Sequence, residues 1–370
     1  MRNHLCAKAA CLYDRRSFLS NLALAALAPA ARFQATAASQ SIDKGIRGFD
    51  FSSLKGPLTA NGAFFIRNHF NVPVLNSSAW KLRVMGRVRT PLEVDYQELV
   101  SQRARSLTAT VECAGNPVGG AGVSTATWSG IGLRELLEQA GLQAGVKCIR
   151  LVGADQGSVG ESFGLSIPYS RSIPLDKALK PETLLAYQMN GVPLPAEHGY
   201  PLRALVAGWY GMDSVKWLQS VEALDHEDQG YFMTQRYVAT RLRAVGSERR
   251  ALTRMRVKSQ IARPREGEIL PLGPYSLHGA AWAGEKKVVE VEVSVDGGET
   301  WAQATLETAP EPYAWVLWSF EWVPKFPGDY TVTVRATDEE GTTQVHSPDL
   351  LRLDDYEDNW WHSVRCSVHG

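Results

Sequence analysis

At 370 residues the chain is longer than one hydrophobic core usually covers, so two domains are expected. Hydrophobic residues make up 44% and charged residues 21%, which is ordinary for a globular protein. Basic and acidic residues both number 39, and this balance argues against a nucleic-acid partner, which demands a basic excess.

The first 37 residues read as an address. Arg15-Arg16 stands just before the apolar run Ser20 to Ala31, and the small-residue cleavage pattern Ala35-Thr36-Ala37 follows. The run is too short and too alanine-rich to span a membrane, so no span is expected in the mature chain. Paired arginines ahead of it predict a twin-arginine signal and a periplasmic or otherwise exported protein. That route carries folded proteins, often with a cofactor already inserted. Cys6 and Cys11 fall within the signal, leaving Cys113, Cys148 and Cys366, an odd set with at least one thiol lacking an intrachain partner. No C-x-x-C pair occurs, so neither a thiolate zinc site nor a c-type haem attachment is written in the chain.

From about residue 45 to 250, short apolar strands alternate with few helices. Leu82 to Val88, Ser106 to Cys113 and Cys148 to Gly153 have strand character, and Tyr200 to Val206 and Ser214 to Leu224 are strand-like. Gly132 to Gly141 predicts a short amphipathic helix capped by Gly141. Pro174 to Leu179 predicts a turn or short helix. From 255 to 370 the pattern changes. A turn at Arg263 to Gly267 precedes strict alternation over Val288 to Val295, with Asp296-Gly297-Gly298 expected to close a hairpin. Trp315 to Trp322 and Tyr330 to Ala336 alternate again, which predicts a β-sandwich with no catalytic cluster of its own.

Three clusters carry chemistry. Phe64-Phe65-Ile66-Arg67-Asn68-His69 places a cation, an amide and an imidazole beside aromatics, and Arg67 can fork onto an oxyanion or phosphate. In Glu112-Cys113-Ala114-Gly115-Asn116-Pro117-Val118-Gly119-Gly120 a cysteine meets a loop of small residues that lets a large ligand approach the backbone. Its thiolate suits a soft transition metal, although a lone cysteine is more often a small buried hydrophobe. His198 to Arg203, followed by Gly208 to Leu218, supplies imidazole, guanidinium, hydroxyl and ammonium donors fit for a phosphate and a polar ring system. Neither a G-x-G-x-x-G fingerprint nor a Walker loop is present.

These clusters, with Ser172-Ile173-Pro174-Leu175 and Leu184 to Gly191 between them, resemble the molybdopterin domain of the sulfite oxidase family. Ser294 to Trp301 resembles that family's immunoglobulin-like dimerisation domain. The resemblance implies an α+β molybdopterin-binding domain over 45–250, an all-β sandwich over 255–370 and a molybdenum–molybdopterin cofactor. Cys113 would ligate the metal. Arg67, Asn68, His69, Asp155, His198, Arg203, Ser214, Val215 and Lys216 would bind the cofactor. Arg67 and Tyr237 would join Cys113 in catalysis. Family chemistry transfers an oxo group to a small oxyanion, sulfite first, and passes electrons to a separate acceptor such as a c-type cytochrome. No haem is expected within the chain, and the sandwich is expected to support a homodimer. Two departures stand out. Pro117 and Val118 replace arginines of the animal enzymes, and Arg352 is the one candidate for the arginine that the sandwich lends to the substrate pocket. Both imply a less cationic pocket. A reductase of S-oxides or N-oxides is the alternative within the family; an exported binding module without metal is the alternative outside it.

Overall fold

Alternation at period two buries one side of each strand, and the strands of this chain pair almost throughout in antiparallel fashion. The computed structural model describes residues 41–42, 46–159 and 166–370. The signal segment read over 1–37 lies outside them.

Two five-stranded sheets build the first part. One runs in the order Val192–Pro193, Thr183–Met189, Val123–Gly132, Arg105–Glu112, with Arg203–Val206 also paired to Thr183–Met189. The other runs Leu92–Asp95, Lys81–Gly86, Leu218–Leu224, Cys148–Ser158, Ser166–Pro174, and its pair Lys81–Gly86 with Leu218–Leu224 is parallel. The expected helix forms over Leu133–Ala140. Leu133, Leu136, Leu137 and Ala140 are buried at helical spacing, and Gly141 closes it in the left-handed conformation at φ 68°. The segment predicted as one strand from Ser214 to Leu224 is strand only over Leu218–Leu224. A single helical turn at Gly211–Asp213 precedes it, and Trp217 takes a positive φ of 50°.

The last part is the expected sandwich. Lys258–Arg263, Tyr275–Trp282, Val316–Trp322 and Thr305–Leu306 form one sheet; Glu268–Pro271, His362–His369, Gly328–Asp338, Val288–Ser294 and Ala302–Gln303 form the other. Asp296-Gly297-Gly298 does not close a tight hairpin. The chain loops through residues 295–301, because the Asp296 carboxylate accepts the Glu299 and Thr300 N–H groups at 3.1 and 3.0 Å and organises a wider turn. Inside the sandwich a core of Leu277, Val291, Trp318, Val332 and Val334 excludes water. A second, larger core fills the molybdopterin-type part and takes in Trp282 and Trp315 from the sandwich. Phe51 wedges between those two indoles at ring separations of 6.4 and 6.0 Å, so the two parts share apolar contacts.

Candidate active site

A cavity of about 660 Å³ opens where the strand Arg105–Glu112 ends. Cys113, the next residue, lines it together with Arg67, Asn68, His69, Asp155, His198, Arg203, Ser214, Lys216 and Tyr237. Residues separated by up to 170 positions thus meet on one concave surface, because both sheets deliver strand ends to it. Val215 does not belong to the lining. Its side chain is buried against Gly153, and its carbonyl accepts the Ala204 N–H at 2.8 Å, so it holds the wall from behind.

The far end of the cavity is cationic and dry. Arg203 is 4% exposed, donates only to the carbonyls of His198 and Ser214 at 3.1 Å and of Ala204 at 3.3 Å, and lies over the Trp128 ring. Burial pulls its guanidinium down to about 9. Lys216 donates to Asn68 Oδ1 and to the Glu197 carbonyl, and burial beside Arg203 lowers its ammonium to about 7. Among the described residues neither cation has a carboxylate within ion-pair distance. Asp155, whose Oδ1 is buried without a hydrogen-bond partner, is pushed up to about 7 by desolvation. His198 gives its Nε2–H to the Asn61 carbonyl at 3.1 Å, and burial lowers it to about 3, so it stays neutral. Ser214 Oγ accepts the Val206 N–H at 3.0 Å.

Nearer the mouth, Tyr237 hydroxyl and His69 Nε2 lie 2.5 Å apart, and the His69 ring stacks on Tyr169 at 4.5 Å. Arg171, fully buried, stands 5.5 Å from the Tyr237 ring and is held by Asp213 at 2.7 Å and by the Phe232 and Leu252 carbonyls. Burial, with the Cys113 sulfur next in weight, pushes the Tyr237 phenol far up, so the hydroxyl keeps its proton. Burial likewise raises the Cys113 thiol, while Arg67 pulls it down. Outside lies a second hollow of about 1260 Å³, lined by Arg47, Arg67, Arg236, Cys113, Tyr237 and Tyr356 among others. Arg67 and Arg236 form no hydrogen bond or ion pair among the described residues.

Residues 69–232 match the oxidoreductase molybdopterin binding domain, and residues 249–369 match the Mo-co oxidoreductase dimerisation domain. Sulfite oxidase of Gallus gallus is 36% identical over 327 residues, covering 78% of this chain and 68% of its own. The chain belongs to the sulfite oxidase family. Human mitochondrial sulfite oxidase is 32% identical over 84% of this chain and 62% of its own; a nitrate reductase of Arabidopsis thaliana is 32% identical over 85% and 38%. The chain therefore spans less than two thirds of the human enzyme. Among solved structures, the sulfane dehydrogenase SoxCD of Paracoccus pantotrophus superposes with a TM-score of 0.76 at 26% identity, over 88% of this chain and 85% of that one. Family membership makes this protein an oxidoreductase and sets aside the metal-free binding module.

The cavity fits the family's cofactor on its own terms. Buried Arg203 and half-buried Lys216, neither in an ion pair among the described residues, suit a phosphate, and the buried Asp155 Oδ1 without a hydrogen-bond partner suits a donor such as a pterin N–H. Among the described residues no three histidine, cysteine or acidic side chains converge, so the cavity holds no all-protein metal cage. Three sequence expectations need correcting at the mouth. Val118 lines neither hollow, whereas its neighbour Pro117 does. Arg352 does not face the substrate hollow, because Asp354 and Glu357 hold its guanidinium and Tyr356 O takes a further N–H. Arg47 and Arg236 join Arg67 in the lining of the outer hollow, with Asp354 and Asp355 opposing them. Arg236 immediately precedes Tyr237, so its adjacency was the available signal. Nor is the sandwich silent, because its Lys258 and Trp282 reach the carboxylate next to Cys113.

The depressed Lys216 ammonium yields a pH test on cofactor-free protein. Its folded value lies below its unfolded one, so the penalty for charging it grows as pH falls from the free-lysine value through about 7 and is fully present below that. A dianion bound beside it relieves that penalty. Low millimolar sulfate, whose charge does not change over this range, should raise the melting temperature more at about pH 6 than at about pH 9. Lys216→Met should shrink the difference, leaving the smaller part that Asp155 and Arg203 contribute over the same range. Equal shifts at both pH values would place the bound anion elsewhere.

Proposed function

We propose that this chain oxidises sulfite, or a closely related small sulfur oxyanion, with Cys113 holding a molybdenum–molybdopterin cofactor. The observation that carries the reading is Cys113 lining both hollows, between an inner end with Arg203 and Lys216 outside any ion pair among the described residues and a mouth with Arg67 and Arg236. When bound, the metal centre supplies oxygen-atom transfer and accepts two electrons. The chain's own residues do the rest. Arg203, Lys216, Ser214 and His198 would hold the cofactor's phosphate, and Asn68 and Asp155 would offer hydrogen bonds to its ring system. Arg67 and Arg236 draw the oxyanion inward and orient it. Tyr237, kept protonated and aligned by His69, donates a hydrogen bond toward the reacting anion. Arg171 and Tyr169 pin that pair from behind.

The catalytic part spans 45–250 and the sandwich 255–370. Exposed Ile269, Val323 and Phe326 on the sandwich are apolar surface of the kind a second copy covers, which supports a homodimer. Electrons pass to a separate one-electron carrier, by preference a c-type cytochrome, in the exported compartment that Arg15-Arg16 addresses. No helix among the described residues is long and apolar enough to cross a membrane.

Three experiments follow. Purified from a molybdenum-replete host, the wild-type chain should contain molybdenum and reduce cytochrome c on addition of sulfite. Cys113→Ser should stay folded and lose turnover, since a hydroxyl is a harder donor than thiolate; wild-type turnover in that variant would remove Cys113 from the metal. For the anion, Arg67→Gln should raise KM for sulfite roughly fivefold, from a lost exposed charge contact of about 1 kcal/mol, and Arg236→Gln should act in the same direction. Tyr237→Phe should lower kcat more than it raises KM. A fully metallated enzyme that leaves sulfite untouched would redirect the assay to S-oxides and N-oxides with a reduced dye. For export, changing Arg15 and Arg16 to Lys should trap the precursor inside the cell, and unchanged export would point to another route.

A further inference from the structure

The strand that leads into Cys113 is anchored by the sandwich at two points. Thr110 gives its N–H to the Tyr313 carbonyl at 2.8 Å, and its hydroxyl accepts the Trp315 N–H at 2.7 Å. Two residues on, Glu112 is completely buried. Its Oε1 accepts from Lys258 Nζ at 2.6 Å and from Asn116 Nδ2 at 3.0 Å, and its Oε2 accepts from Trp282 Nε1 at 2.9 Å. Lys258 is 1% exposed and also donates to the Asn116 carbonyl at 3.1 Å. Asn116 Oδ1 takes the Gly122 N–H at 2.8 Å, and the Gly122 carbonyl takes the Cys113 N–H at 2.8 Å. An unbroken run of hydrogen bonds thus leads from a sandwich ammonium to the cysteine backbone. The loop has no room to shift. A Cβ on Gly122 would sit 3.3 Å from that of Cys113, and one on Gly119 would meet His362 of the sandwich at 2.7 Å.

Stability does not account for this arrangement. A buried ion pair loses about as much on desolvation as it gains by attraction, and apolar side chains of the same volume serve a core as well. What a satisfied polar network adds is a single fixed geometry. We propose that Lys258 and Trp282 are positioning residues for Cys113, acting through Glu112 and Asn116, so that the sandwich sets the aim of the metal's thiolate. The inference rests on Cys113 being the metal ligand. It gives the sandwich a part in the active site of its own subunit, separate from pairing two copies.

The test uses the full chain from a molybdenum-replete host, with Glu112→Gln/Lys258→Met, Trp282→Phe and Cys113→Ser compared to wild type. The double variant leaves no buried charge unpaired. Molybdenum per chain, kcat and KM per molybdenum, and the paramagnetic resonance spectrum of the half-reduced centre are measured. Loss of a partner that orients a ligand typically costs tenfold to a hundredfold, so kcat per molybdenum should fall by about tenfold or more in the double variant and less in Trp282→Phe. KM should move by less than about threefold, as binding of the anion is untouched. The resonance spectrum should change, and in cofactor-free full chain Cys113 should react about tenfold faster with a maleimide. Wild-type kcat per molybdenum and an unchanged spectrum in the double variant would overturn the proposal, leaving the pair as domain packing. If the double variant does not fold, Trp282→Phe decides by the same spectrum and labelling rate. Should Cys113→Ser keep the wild-type spectrum and turnover, the ligand assignment fails instead, a result distinct from failure of the positioning role.

Discussion

Arg203 and Lys216 sit together at the closed end of a cavity, where Asp155 and Glu197 act on Lys216 from a distance but no described carboxylate forms an ion pair with either cation. Even after relaxation, an uncompensated buried ion costs several kcal/mol. The depressed values of both groups, about 9 and about 7, record that cost. Much of the local architecture exists to bear it. Three backbone carbonyls turn toward the Arg203 guanidinium, the Trp128 face lies beneath it, and the turn Gly211–Asp213 brings the Ser214 carbonyl into range. The short strand Arg203–Val206 is itself locked to Thr183–Met189, so the arginine cannot swing out to water. A fold selected for stability alone has no use for such charge; a fold that receives a phosphate does.

A rigid scaffold for that charge needs a shared core, and the two parts of the molecule supply one. Trp282 does two things at once. Its ring packs into the larger core, and its indole N–H reaches Glu112. The segment 354–358 closes the opposite side. The Glu357 N–H donates to the Ala114 carbonyl at 2.9 Å, and the buried Glu357 carboxylate gathers Arg250, Arg256 and Arg352. The loop after Cys113 is therefore held between the sandwich strands and the segment before the last strand. This is why Arg352 spends its charge on structure: it serves the carboxylate that ties down the cysteine loop.

How much of this was legible in the chain depended on range. Local periodicity located the helix Leu133–Ala140 and the alternating strands of the sandwich, because i, i+3, i+4 and i, i+2 patterns report burial directly. The cavity residues were legible because glycines and donors cluster within a few positions of Arg67, Cys113 and His198. The rest depended on contacts across more than a hundred residues. Nothing near Lys258 marks it as the partner of Glu112, 146 positions away. Position 118 looked decisive because of the arginine it replaces elsewhere, yet the turn that gives Gly119 a φ of 75° leaves Pro117, not Val118, on the hollow. Asp296 misled because Asp-Gly-Gly favours a tight turn, while a carboxylate able to accept several N–H groups supports a longer one.

The placement of charge divides labour along the cavity. Of the inner cations Arg203 is buried and Lys216 half-buried, and both are fixed by hydrogen bonds, which suits a group that enters once and stays. The cations at the mouth, Arg47, Arg67 and Arg236, are exposed and in water, where salt weakens attraction over about 10 Å. Exposed arginines speed the arrival of a small anion without holding it tightly. That matters when the product is also an anion: a mouth built like the inner end would retain what it made. Asp354, held by Arg352 and the Thr240 N–H, and Asp355 line the same hollow and temper that charge. Three arginines set against two carboxylates leave the mouth a small positive excess, enough to steer an oxyanion in and weak enough to let the product leave.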